Sequence, residues 1–216
     1  MNDQHRPPPR SRRAFLLGVG AAALGGVGLA VANGADRSPH GLPGPRQARR
    51  RGKVDQAGAE WAAASDGNYR YARRPDDYTI DRVVIHVTQS TYPVALKVFQ
   101  DPGHGAAAHY VVRARDGHIA QMVREGDVAY HACNRAWNER SIGIEHEGFV
   151  DRPDRWFTDV AYRSSARLCA AICTRYGIPV DREHIVGHYE VPGTDHTDPG
   201  PFWDWDRYLR LVQAAA

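Results

Sequence analysis

Residues 184–200 read HIVGHYEVPGTDHTDPG and hold three histidines and two aspartates. His188 follows Ile185-Val186-Gly187, which places it at the tip of a short strand. The turn-rich loop after it can fold back and bring Asp198 to the same point. Another histidine, His86, is embedded in Val83-Val84-Ile85-His86-Val87. An imidazole in such a run must be hydrogen-bonded or metal-bound to be tolerated. By itself His86 reads as a satisfied core histidine. Together with His188 and Asp198 it makes two imidazoles and a carboxylate, a set suited to Zn²⁺ with a fourth position left for water. Water activated in this way is a nucleophile near neutral pH, so the chemistry is hydrolytic.

Hydrolysis also needs a base for the water proton. In Ile142-Gly143-Ile144-Glu145-His146-Glu147 the glutamates alternate with other residues and share one strand face, so either can serve. The plainer reading is a polar strand edge. His184 lies roughly 13 Å from His188 along a strand, too far for a shared cation. His118 reads as a solvated turn residue, His104 as a loop residue, and His146 as facing away from Glu145. Cys133, Cys169 and Cys173 have no CxxC spacing and are not read as ligands. Cys169 and Cys173 stand four apart on a helix, a poor disulfide geometry. A bridge from Cys133 to one of them stays open.

These groups need elements to hold them. Residues 81–87 and 141–149 read as strands, 184–188 as a short one, and 109–123 as a hairpin turning at Asp116-Gly117. Residues 91–100 and 204–213 have helical patterns. The clearest helix is 158–176: Thr158 caps it, Ala161, Ser165, Leu168, Ile172 and Tyr176 share a face, and Gly177 ends it. Strands interleaved with helices predict a single α/β domain over 61–216, with a central mixed β-sheet flanked by helices.

The chain has 216 residues and a formal charge of +3, but the charge is uneven. Residues 1–53 carry ten Lys/Arg against two Asp/Glu, and 54–216 carry 18 against 23. A mildly acidic body lacks the basic face that nucleic acid requires, so nucleic acid is excluded as a partner. Arg12-Arg13 precede Phe15-Leu16-Leu17 and an apolar, Ala/Gly-rich run ending in Ala-Val-Ala. That pattern predicts a twin-arginine export signal over 1–35, cleaved near Ala32 or Ala35. The run also approaches membrane-spanning length, but its glycines and small terminal residues favour cleavage, leaving no stable anchor. Residues 36–60, rich in Pro, Gly, Arg and Ala, read as a disordered linker.

The strings VVIHVTQS, AAHYVV, DVAYHACN, SIGIEHEGF and GHYEVPGTDHTDPGPFWDW occur in order. Together they resemble the zinc-dependent N-acetylmuramoyl-L-alanine amidases of the amidase-2 type, a fold shared with peptidoglycan-recognition proteins and T7-type lysozyme. The similarity covers roughly residues 61–212. It implies His86, His188 and Asp198 as zinc ligands, Glu145 as the catalytic carboxylate, and His196 as the oxyanion donor where relatives often carry lysine. It places His131 and Asn134 in the substrate groove. Where some members have tyrosine this chain has Ala108, and His109 beside it is given no role. The implied activity is cleavage between N-acetylmuramic acid and L-alanine in peptidoglycan or muropeptides, by a secreted monomer. The alternative is a non-catalytic muropeptide-binding module, which typically lacks a metal ligand. No H-E-x-x-H or G-x-S-x-G string points to another hydrolase class.

Overall fold

In the computed structural model, which describes residues 53–216, the apolar run around His86 becomes the centre of a sheet. The elements in chain order are β1 (Glu60–Trp61), β2 (Tyr69–Arg70), β3 (Arg82–Val87), α1 (Tyr92–Gln100), β4 (Tyr110–Val112), β5 (Ile119–Gln121) and β6 (Val128–Ala129). They continue with α2 (Arg135–Arg140), β7 (Ser141–His146), α3 (Pro153–Trp156), α4 (Asp159–Tyr176), β8 (Ile185–Gly187) and α5 (Trp205–Ala215). Among the described residues a six-stranded sheet runs β1-β5-β4-β7-β3-β8 and a two-stranded one pairs β2 with β6. The β4–β5 pair is the expected antiparallel hairpin, while β4–β7, β7–β3 and β3–β8 are parallel. The fold is therefore the mixed α/β architecture read from the sequence.

Strand β3 is buried along nearly its whole length, which is why it reads as a nearly continuous apolar run rather than an alternating one. On one face Val83, Ile85, Ile142 and Ile144 pack against Leu168 and Ile172 of α4 and Tyr208 and Val212 of α5. Helix α4 starts where the Thr158 hydroxyl accepts from Ala161 N and ends at Gly177, whose φ of 68° is the left-handed closing position. On the other face α1 lays Tyr92, Ala95 and Phe99 over Val111, Ala120 and Met122. A smaller cluster joins Val84 of β3 and Val186 of β8 to Ala132 and Val191.

Register sets the site. His86 pairs with Glu145 across β3 and β7, and Ile85 with Gly187 across β3 and β8. Parallel pairing thus brings His86, Glu145 and His188 to one level at the carboxyl ends of three adjacent strands. Crevices outside the carboxyl ends of parallel strands are the usual ligand positions in such sheets.

Three expectations need adjustment. The export signal over 1–35 and linker residues 36–52 lie outside the described residues, but residues 53–60 are not a disordered linker. Asp55 N donates to Gln121 Oε1 (2.7 Å), Asp55 Oδ2 accepts from Glu125 N (2.9 Å), and Glu60–Trp61 pairs with Ala120–Gln121. The polar composition hid this because the segment's partners are about 65 residues downstream. No bridge joins Cys133 to the helix cysteines: Cys169 and Cys173 are buried in α4, Cys133 is exposed, and all three are free. His118 stays part-exposed, as expected, but also bonds Glu60 through Nε2 (2.9 Å).

Candidate metal and catalytic site

Asp198 reaches the strand ends because the loop after β8 folds back tightly. A Cβ on Gly187 would lie 2.8 Å from Pro199 Cδ and 2.6 Å from Tyr189 Cε1, so only glycine allows that approach. Tyr189 N then donates to Asp198 O (3.1 Å), and Val87 N donates to Asp198 Oδ2 (3.3 Å). The result places Oδ2 3.3 Å from His86 Nδ1 and Oδ1 3.2 Å from His188 Nδ1. All three side chains are buried. One donor atom from each lies within 4.8 Å of the other two. A tetrahedral site with bonds of ~2.0 Å has edges of about 3.3 Å, so the carboxylate–imidazole spacings suit zinc.

The protonation of His86 can be worked out from its other nitrogen. Nε2 is 3.0 Å from His131 Nδ1, and His131 Nε2 is 3.2 Å from Ser141 Oγ. The Ser141 hydroxyl donates to the Trp137 carbonyl, which can only accept. Ser141 Oγ must therefore accept from His131 Nε2–H, leaving His131 Nδ1 to accept from His86 Nε2–H. Burial, followed by the neighbouring His86 and His109, holds His131 far below the usual imidazole range, so it stays neutral. Burial likewise lowers His86, although Asp198 opposes this. A neutral His86 with its proton on Nε2 has a bare Nδ1. Two lone pairs, on Nδ1 and on Asp198 Oδ2, then face each other at 3.3 Å. Such an arrangement is repulsive unless a cation sits between them. Asp198 is ready for one: burial alone would raise its carboxyl, but hydrogen bonding from His188 holds it well below the usual carboxylate range. His188 adds a buried Nε2 with no partner. The donor set and its protonation fit a divalent cation.

Glu145 and His196 flank this cluster. Burial first, and the Asp198 charge second, raise the Glu145 carboxyl well above the usual range, and its Oε2 is buried without a partner. Glu147, the other glutamate read as able to serve, is spent on structure: Oε1 accepts from Tyr92 N and Oε2 from Ala114 N, both at 2.8 Å. His196 stacks on His188 with ring centroids 4.2 Å apart, its side chain 49% exposed and its Nδ1 3.5 Å from Asp198 Oδ1. His146 faces the opposite side, as expected, bonding Ser165 Oγ (2.7 Å) against α4. His109 is buried and accepts from Gly143 N (3.0 Å).

The two residues expected to line a substrate groove also make contacts within the protein. His131 is 8% exposed, with both ring nitrogens engaged inside the protein, so it positions His86 rather than meeting solvent. Asn134 caps α2 by accepting from Trp137 N (3.2 Å) and donates to Pro192 O (3.0 Å). A signal for His131 was present in Gly143: a Cβ there would lie 2.6 Å from the His131 ring, and a strand glycine marks close approach. Cys133, set aside as a ligand, stands beside His188 and His196. Its backbone φ of 50° gave no sign of itself in the sequence.

Comparison with known proteins agrees with this geometry. Residues 76–201 match the sequence profile of the N-acetylmuramoyl-L-alanine amidase family, amidase-2 type. N-acetylmuramoyl-L-alanine amidase A of Achromobacter lyticus is 34% identical over 176 residues, covering 74% of this chain and 96% of the relative. The 1,6-anhydro-N-acetylmuramyl-L-alanine amidase AmpD of Citrobacter freundii is 32% identical over 166 residues, covering 66% and 86%. Among solved structures, an AmpD derivative superposes with a TM-score of 0.59 at 29% identity, covering 74% of this chain and 99% of that one. E. coli AmiD, in complex with anhydro-N-acetylmuramic acid-L-Ala-D-gamma-Glu-L-Lys, gives 0.53 at 25% identity, covering 74% and 65%. With this profile match and these relatives, the chain belongs to the N-acetylmuramoyl-L-alanine amidase family, and it is an amide hydrolase of peptidoglycan.

Proposed function

We propose that this chain is an exported zinc enzyme that cleaves the amide between the lactyl group of N-acetylmuramic acid and L-alanine, with His86, His188 and Asp198 holding the metal. The observation that carries the assignment is the buried convergence of His86, His188 and Asp198, with imidazole nitrogens 3.3 and 3.2 Å from the carboxylate oxygens. When bound, zinc supplies Lewis acidity, polarising the amide carbonyl and making water easier to deprotonate. His131 and Ser141 keep His86 Nδ1 free of a proton, and Val87 N–H steadies Asp198. Glu145 Oε2 takes the proton of the attacking water. Its raised proton affinity lets it keep that proton until the L-alanine nitrogen departs and receives it. His196, half exposed at the mouth, donates to the carbonyl oxygen as negative charge builds there.

The substrate reading is supported by the muropeptide bound in the AmiD complex and by the names of the relatives. Export rests on Arg12-Arg13 and the apolar run that follows. Purified protein incubated with muropeptides should release free stem peptide and leave the glycan intact, with the reaction stopped by a chelator. Turnover that survives complete metal removal counts against the zinc assignment. Recovery of the protein from culture medium or cell wall, beginning near Ala32 or Ala35, tests export. Retention in the cytoplasm with residues 1–35 attached rejects it.

A further inference from the structure

Beside the buried His86–His188–Asp198 set lies another group of donors. One donor atom from each of Cys133, His188 and His196 lies within 4.8 Å of the other two. Cys133 and His196 are exposed, so a cation can reach them from solvent. The turn carrying the thiol is fixed on both sides. Asn138 Oδ1 accepts from His131 N (3.0 Å) and Ala132 N (2.8 Å), and Asn134 is tied to Trp137 N and Pro192 O. The shared ring, His188, is buried.

We propose that Cys133, His188 and His196 form a second ligand set, for a thiophilic divalent cation, which shares His188 with the first set and competes with it. A thiolate and two imidazoles are softer donors than two imidazoles and a carboxylate, so cadmium prefers the second set. As the sulfur–metal bond forms, the Cys133 thiol proton passes to solvent. A cation held there takes the ring the catalytic set needs and ties up His196, so the amidase is inhibited. The inhibitory consequence rests on the zinc amidase reading; the ligand set itself does not.

Titration of metal-free full-length protein with cadmium tests the set directly. The wild type should develop thiolate-to-cadmium ultraviolet absorption that saturates at one cation per chain. Cys133→Ser should lose that absorption, whereas Asp198→Ala and, as a second variant, His86→Gln should keep it. Cys169 and Cys173 are buried and should contribute nothing. In zinc-loaded protein, cadmium should inhibit the wild type at about tenfold lower concentration than Cys133→Ser. Absent absorption in the wild type, or absorption retained by Cys133→Ser, overturns the second set and leaves the zinc assignment standing. Unchanged zinc content in both Asp198→Ala and His86→Gln overturns the zinc assignment instead, without touching the absorption result.

Discussion

Glu145 and Glu147 stand two residues apart, yet the protein treats them in opposite ways. Glu147 fills both carboxylate oxygens with backbone amides and ties the start of α1 to the end of β4. Glu145 keeps Oε2 buried and unpartnered, and its proton affinity is raised by burial and by Asp198. A buried carboxylate with every lone pair satisfied is a strut. One left short of donors stores an unfavourable interaction that bound substrate and a moving proton can relieve. The same contrast separates the site from the Glu125 cluster, where Tyr110, Arg175 and Tyr176 saturate the carboxylate.

The contrast can be broken or sharpened experimentally, beginning with the metal. Dialysis against a chelator should abolish amide cleavage, and added zinc should restore it, with the fold retained by circular dichroism. Next, Glu145→Gln should lower kcat by about 10²–10⁴-fold while zinc content and melting temperature stay near wild type. An active Glu145→Gln protein removes the distinction between the two glutamates. Ser141→Ala ends the chain that fixes the His86 tautomer. It should weaken zinc affinity by roughly 10–100-fold, measured by competition with a chromogenic chelator. Unaltered affinity would show that the His131 relay does not govern His86.

Glu147→Ala should act on stability instead. Two buried amides lose their acceptor at roughly 1–3 kcal/mol each, so the denaturation midpoint should fall while kcat/KM per folded molecule holds. The smallest effect belongs to Asn134→Ala, expected to cost about 1 kcal/mol as a lost helix cap with KM unchanged. A raised KM with unchanged stability would place Asn134 in the substrate groove.

Much of this was legible before any coordinates. The strand runs at 82–87 and 141–146, helix 159–176 with its Thr158 cap and Gly177 stop, and the hairpin at Asp116-Gly117 all have local signals strong enough to stand alone. The two-residue strands β1, β2 and β6 do not, since each exists only through a distant partner. Helix α2, Arg-Ala-Trp-Asn-Glu-Arg, buries no residue fully and shows no apolar stripe. Its consequence is larger than its length, because it delivers Trp137 O to Ser141 and so completes the relay behind His86.

The amino-acid order alone fixed the types of group available: imidazoles at two strand ends, a carboxylate in a returning loop, and alternating glutamates on a third strand. Local patterning suffices for that, since strand and turn propensities act over a few residues. Which glutamate is free, which nitrogen of His86 is bare, and that His131 is held against His86 were decided only in three dimensions. Each depends on partners 10 to 111 residues away in sequence, and a proton's position follows from whichever acceptor the folded chain leaves within reach.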